Sequence, residues 1–337
     1  MPDSIAKFAR SALERAEKRL ETATQTRICV AGITVAIDET SPMVVNWLSG
    51  QFDPPAATSR AFIYCDYSGT YLPELRALGD LSMISPLQFD EAFARAGLFG
   101  SFDANQNRMD LFDPARKIGL RLHPHATAYP EWEPTAPLAN LLGWVMRSAG
   151  RMVMHTASLS IDGTGVLLSG PGGSGKSGTT LAGVANGLQS VGDDYCVVTP
   201  APSPVARPLY RMMKQDSKGL ARVGIKGVKA PLNWQGKHVF DLRDVFPAAA
   251  TNEAKVKAIL LPKVSRLKTT KLETATSFEA LHSLAPSTML QLGGDRSATF
   301  KACAQVVRTV PAFHLYLSEN PREIAAAIKH FILERSP

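Results

Sequence analysis

The chain has 337 residues, 45% of them hydrophobic and 20% charged, with 37 Lys and Arg against 30 Asp and Glu. That length suits two domains with real cores, and no apolar run approaches the ~18 residues a membrane-spanning helix needs. Cys29, Cys65, Cys196 and Cys303 are scattered without CxxC spacing, which argues against a disulfide framework or structural zinc and for a reducing, cytoplasmic setting.

The N-terminal stretch "MPDSIAKFARSALERAEKRLETA" alternates charged and apolar positions and lacks the apolar core of a signal peptide. It predicts an amphipathic helix capping an N-terminal domain. "RICVAGITVAI", "AFIYCDY" and "KIGLRLHP" are β-rich, whereas "SPMVVNWLSG" and "SPLQFDEAFARAGL" predict short helices opened by Ser-Pro. Residues 1–130 thus read as a smaller α+β domain. The proline-punctuated "HPHATAYPEWEPTAPL" connects it to a second domain over residues 131–337. There the helix "APLANLLGWVMRSAG" leads into "MVMHTASLSIDGTGVLLSG", a hairpin turning at Asp162-Gly163. A helix from about Lys176 to Asn186, the strand "LQSVGDDYCVVTP", further strands "HVFDLRDVF", "KAILLPKV" and "AFHLYL", and three more helices follow. Such alternation predicts a layered α/β domain.

Within it, Gly170, Pro171, Gly172, Gly173, Ser174, Gly175, Lys176 and Ser177 match G-x-x-x-x-G-K-[ST] without departure. The glycines let several backbone N–H groups point into one concavity, Lys176 reaches toward β- and γ-phosphates, and the Ser177 hydroxyl suits Mg²⁺. Apolar strand, loop and helix appear in the order the motif requires. The N-K-x-D element of GTPases is absent, as is an apolar run ending in Asp-Glu. Instead "VGDDY" follows shortly after Ser177, bringing Asp193 and Asp194 onto the next element. Such a pair can divide two tasks, one acid holding Mg²⁺ and the other accepting the proton of an attacking hydroxyl.

The order of a histidine before a hairpin, "GVLLSGPGGSGKS", a short helix and "GDD" resembles the catalytic domain of HPr kinase/phosphorylase and its relatives. The resemblance extends more loosely from Pro134 to Ile332 and includes kinases of lasso-peptide clusters, which phosphorylate the C-terminal serine of a precursor peptide. It implies a P-loop, HPr-kinase-like α/β domain using ATP and Mg²⁺. In it His155 and Asp194 belong to the catalytic centre, while Lys176 and Ser177 serve the phosphates and the metal. Two departures stand out. Gly178 occupies the position of an acid directly after G-K-S, and "GKHVFDLRDVFP" stands where the signature segment of the true HPr kinases would be. Reverse phosphorolysis and HPr itself are accordingly not expected.

The whole charge excess lies between Arg207 and Lys237, where eight basic residues face Asp216 alone. Arg211, Lys214, Lys218 and Arg222 are spaced to share a helix face if that segment is helical; Gly219, Gly224 and Gly227 favour a loop in its later part. These cations, with Lys237 and Arg243, are candidates to meet a γ-phosphate or a substrate carboxylate. Nucleic acid ranks low as a partner, because Tyr210 and Trp234 are the only nearby aromatics for stacking. His123, His125, His238, His282, His314 and His330 lack metal-ligand spacing. The expectation is a cytoplasmic, Mg²⁺/ATP-dependent kinase acting on a serine hydroxyl of a peptide or protein, with Lys176, Asp193, Asp194 and His155 as catalytic groups, Ser177 and Asp193 on the metal, and residues 170–178 on the nucleotide. An HPr-type regulatory kinase and a nucleotide-binding regulator without phosphotransfer are the alternatives; no membrane partner is expected, and a homo-oligomer stays open.

Overall fold

A computed structural model describes residues 2–20, 24–38, 42–48, 52, 54–56, 58–124, 131–226, 228–265 and 267–334. Residues 125–130 of the proline-rich connection, with His125, lie outside these residues, as does Gly227. The chain forms two compact units, Met1–Gly150 with Leu292–Arg296, and Arg151–Gln291 with Ser297–Pro337.

In the first unit, α1 (Pro2–Leu20) is amphipathic as expected. Ile5, Phe8, Ala9, Ala12, Leu13 and Ala16 recur at helical spacing and are buried, each large side chain worth about 1.5–3 kcal/mol. The unit continues with β1 (Gln25–Val30), β2 (Ile33–Asp38), α2 (Pro42–Leu48), β3 (Ala61–Asp66), α3 (Leu72–Arg76), α4 (Pro86–Arg95), β4 (Phe99–Asp103), β5 (Arg108–Asp113) and β6 (Ile118–Leu122), and the α1 side chains join a core with residues of β3, α3, α4, β5 and β6. The sheet runs β1-β2-β3-β6-β5-β4, with β2, β3 and β6 parallel and the rest antiparallel. The Ser85 side chain and Gln88 form a capping box that starts α4, as the Ser-Pro signal predicts. Beneath the sheet, Arg121 is fully buried between Asp110 (2.7 Å) and Glu133, and Arg108 also pairs with Glu133. Helix α5 (Ala139–Ser148) packs on β5 and β6, so the unit ends after Gly150, where composition suggested residue 130. The segment Leu292–Arg296 returns to this unit. Trp144 Nε1 donates to the Gly293 carbonyl (3.0 Å), the Gly293 N–H donates to Asn140 Oδ1 (3.0 Å), and Arg147–Asp295 and Arg296–Asp90 are ion pairs.

The second unit is a layered α/β structure. Its elements are β7 (Met152–His155), β8 (Ala157–Ile161), β9 (Thr164–Leu168), α6 (Lys176–Val184), β10 (Tyr195–Thr199), β11 (Val205–Pro208), β12 (Met212–Gln215), α7 (Ser217–Arg222), β13 (His238–Asp241), α8 (Leu242–Val245), β14 (Ala254–Val264), β15 (Lys271–Ala275), α9 (Ser277–Gln291), α10 (Arg296–Thr309), β16 (Ala312–Leu317) and α11 (Pro321–Glu334). An eight-stranded sheet carries β9, β14 and β16 side by side and parallel, with β8 antiparallel to β9 and the path β14-β11-β10-β7 beyond. Successive residues of β14 serve opposite faces. Ala258 and Leu260 join a core with α6 and α11, while Ile259 and Leu261 join one with α9 and α10, as expected of a sheet covered on both sides. Among the described residues no helix is long and apolar enough to cross a membrane.

Three expectations change here. The predicted hairpin is β8–β9 alone, turning on Asp162 and Gly163, which both hold positive φ; β7 instead pairs with β10. "HVFDLRDVF" is strand only over β13 and then turns into α8. The basic segment is not one helix. Its first half is β12, paired with β13 in a separate ribbon, and Asp216 caps α7 by accepting from the Gly219 N–H.

Candidate active site

Strand β9 ends at Leu168, the Ser169 N–H is tied to the Leu260 carbonyl (2.9 Å), and residues 170–175 turn the chain into α6. Gly175, at φ +103°, sits in the left-handed region directly before the helix. A Cβ there would lie 2.6 Å from Leu317 Cδ1, and one at Gly170 would collide with Ser174. Around Gly172, Gly173 and Gly178 nothing stands within 4 Å of an added Cβ, which leaves the mouth of the loop open. Pro171, Gly172 and Gly173 are exposed. Lys176 is 7% exposed; its ammonium donates to the Gly170 carbonyl and more weakly to that of Pro171 (3.4 Å). Burial lowers its pKa, opposed by the nearby Asp194 and Asp193 carboxylates.

The acid pair is held against this loop by serines on an otherwise apolar strand. Ser160 and Gln189 exchange backbone hydrogen bonds (2.7 and 2.8 Å), the Ser158 N–H donates to the Gly192 carbonyl (3.1 Å), and Ser158 Oγ accepts from the Val191 N–H (2.9 Å). Ser190 Oγ closes the turn on Gly192. The chain then enters β10, whose first residue, Tyr195, faces His155 across the β7–β10 ladder.

Asp193 is 2% exposed and neither carboxylate oxygen is in a hydrogen bond of ordinary geometry. Burial and the neighbouring Asp194 charge push its carboxyl well above the usual carboxylate range, against a smaller opposing pull from the Ser177 and Thr180 hydroxyls beside it. Asp194 behaves oppositely. Burial would raise it, but Lys214, whose Nζ donates to Oδ2 at 2.7 Å, outweighs this with help from His155 and Lys176 and holds it low. The two acids are thereby differentiated, a pattern that marks sites of acid–base work.

His155 is 8% exposed, and its pKa is pushed down to about 4, first by burial and then by Lys176 and Lys214. It is therefore neutral near pH 7. Gln291 Nε2 lies 3.3 Å from His155 Nε2 and 3.4 Å from Nδ1, and Gln291 Oε1 accepts from the Tyr195 hydroxyl at 2.6 Å. Thr288 Oγ1 accepts from the His155 N–H (3.1 Å).

Lys176, Ser177, Asp193, Asp194, His155 and Lys214 therefore form one electrostatic cluster at the glycine loop. The remaining basic candidates are engaged elsewhere or face solvent. Arg211 is buried and donates to Asn252 Oδ1, and Arg243 pairs with Asp241 (2.7 Å). Lys218 and Arg222 on α7 are exposed, and Lys237 is half-buried beside Asn233. Thr180, Tyr195, Thr288 and Gln291 were not singled out from sequence. Thr288 and Gln291 lie in "LAPSTMLQLGG", where nothing local marks them as partners of a histidine.

A nucleotide and a hard cation fit this residue set. The loop mouth is open, Ser174 Oγ and both Asp193 oxygens are buried polar atoms without hydrogen bonds, and such orphans call for a partner. No group of three or more His, Cys, Asp or Glu that could hold a metal occurs among the described residues, so a cation here would need phosphate oxygens besides Asp193 and Ser177.

No protein-family model matches the chain, and no curated protein does. Among solved structures, the Hpr(Ser) kinase/phosphatase from Coxiella burnetii aligns over 54% of this chain and 97% of that one, at 16% identity and a TM-score of 0.30. A superposition that loose bears on neither fold nor activity, so the chemistry is argued from the chain's own residues.

Proposed function

We propose that the chain is an ATP- and Mg²⁺-dependent kinase that phosphorylates a serine hydroxyl of a peptide or protein. The observation that carries this reading is the differentiated pair Asp193–Asp194 held beside Lys176 at the glycine loop. With Mg²⁺ bound, ATP would supply the phosphoryl group, the β–γ bridging P–O bond breaking as the new bond to serine forms and ADP leaving with the electron pair. The loop amides and Lys176 hold the β- and γ-phosphates. Ser177 and Asp193 hold the cation, which relieves the uncompensated charge of Asp193. Asp194 orients the acceptor hydroxyl and takes its proton; neutral His155, steadied by Gln291, lies within electrostatic reach of Asp194.

The acceptor we favour is the terminal serine of a ribosomally made precursor peptide of the lasso type, with the protein acting in the cytoplasm. The looser resemblance on either side of that core, between Pro134 and Ile332, supports this choice, and Gly178 with the missing signature segment supports an acceptor other than HPr. Wild-type protein incubated with ATP, Mg²⁺ and serine-ended peptides should add one phosphoryl group to the peptide, read by mass spectrometry. Asp194→Asn should lower that rate by about 10²–10⁴-fold while still binding nucleotide. Transfer to no peptide or protein acceptor by the wild type sinks the kinase reading.

A further inference from the structure

Resting on that reading, one contact at the site presents a chemical conflict. The acid assigned to the acceptor hydroxyl already accepts a hydrogen bond from a lysine. Lys214 Nζ lies 2.7 Å from Asp194 Oδ2, with the two side chains only 17% and 27% exposed. The ammonium takes up acceptor capacity on Oδ2 and holds the proton affinity of Asp194 low, which makes it a weaker base for an incoming hydroxyl as long as the contact lasts. Lys214 is not a casual surface cation. It lies on β12, fixed by pairing with β13, where Lys214 stands opposite Val239. Its charge reaches Asp193 and His155 as well as Asp194, and His155 and Asp194 are in turn coupled to Lys176 of the phosphate loop. Two lysines thus approach the acid pair, one from the loop and one from the ribbon.

We propose that Lys214 exchanges partners during the reaction cycle: in the nucleotide-free protein it occupies Asp194, and when a nucleoside triphosphate is bound it moves to the terminal phosphate and leaves Asp194 free for the acceptor. The phosphate is the stronger claimant, because it offers more negative charge and more acceptor oxygens to a three-donor ammonium. A diphosphate stops short of the exchange and leaves the lysine on the acid. The arrangement makes the base available only when there is a group to transfer. No bond is made or broken in the exchange itself; an ammonium trades one anionic oxygen acceptor for another.

The test compares binding of Mg²⁺-loaded ADP and a non-hydrolysable ATP analogue by calorimetry, without acceptor, in wild type, Lys214→Gln, Lys214→Arg, Asp194→Asn and the Lys214→Gln/Asp194→Asn double variant. The wild type should prefer the triphosphate. Lys214→Gln should lose about tenfold or more of that preference with ADP affinity nearly unchanged, the size expected for one charge-assisted hydrogen bond. Lys214→Arg should recover part of it. Asp194→Asn, which frees the lysine, should raise the preference, whereas the double variant should fall below wild type, to the level of Lys214→Gln. A lysine that merely neutralises the acid would give a double variant that regains wild-type preference, which overturns the exchange. A ratio unchanged in Lys214→Gln, or equal loss of both nucleotides, overturns it too. Should Lys214→Gln not fold, Asp194→Asn decides alone: an unchanged or reduced triphosphate preference is then the refuting result. If the wild type binds neither nucleotide, the kinase reading falls and takes this proposal with it, a failure distinct from the others.

Discussion

Asp193 is a buried carboxylate whose oxygens have no hydrogen bond of ordinary geometry and whose proton affinity is raised. The folded state therefore keeps a proton that the unfolded chain gives up at lower pH. As pH rises from the ordinary carboxylate range toward neutrality, the unfolded state ionises first and stability falls. Asp193→Asn removes that liability. We expect it to stabilise the protein by about 1 kcal/mol or more at about pH 8, with the gain shrinking toward about pH 5, where wild-type Asp193 is protonated. Thermal melts of both proteins at the two pH values measure it. A gain that grew on acidification would mean that Asp193 is ionised and compensated in the folded protein. The same substitution should impair phosphotransfer, since the orphaned charge is what a cation would find. Of this residue-scale picture, the sequence displayed the loop and the acid pair by spacing. It did not display which acid carries the raised proton affinity, because that depends on Lys214, 20 residues from Asp194, and on the ribbon that positions it. The Gln291–His155 contact, across 136 residues, was equally invisible.

At the scale of elements, the unit β9–loop–α6 was legible because an apolar run, a glycine pattern and small helical residues each pointed the same way. Its glycines are not alike. Gly175 has positive φ and Leu317 beside it, whereas Gly178 is exposed in α6 with open space around it. Gly175→Ala should destabilise the protein by more than about 1 kcal/mol and weaken nucleotide binding. Gly178→Ala should stabilise by about 0.5–1 kcal/mol through helix propensity. Paired denaturant titrations check both signs, and equal effects would mean the loop is not held as described. Other elements were hidden for physical reasons. The β4–β5 hairpin has a polar turn over residues 104–107, with Asn107 at φ +47° and no Asn-Gly or Asp-Gly signal. The basic segment mimicked a helix because spacings of three and four carry no meaning across a strand-to-helix change. Met212–Gln215 become β12 only by pairing with residues 238–241, and no local pattern reports a partner that distant.

The molecule as a whole consists of two units with separate cores, and each should answer to its own lesions. Arg121 neutralises Asp110 and Glu133 in the first unit, all three side chains being no more than 4% exposed. Arg121→Ala leaves the buried Asp110 without its ion-pair partner and Glu133 with Arg108 alone, and should cost about 3–5 kcal/mol. Trp47, Trp132 and Trp144 lie in that unit and only Trp234 in the other, so tryptophan fluorescence reports mainly on the first. The fluorescence midpoint should drop in Arg121→Ala while ADP binding at moderate temperature survives; unchanged fluorescence would deny the network its structural role. The existence of two units was readable from length and from the change to alternating strands and helices. Their division was not, since it depends on where α5 packs and on the return of Leu292–Arg296.

That return has a consequence for how the protein is made. Trp144, Asn140, Arg147 and Asp90 of the first unit all find partners among residues 293–296. A ribosome delivers those partners only after the long first segment of the second unit has been synthesised, a delay on the order of ten seconds at usual elongation rates. Throughout that interval the N-terminal unit stands with its last backbone and charge partners missing. It completes itself only as α10 emerges, so the two units mature in overlapping rather than successive order.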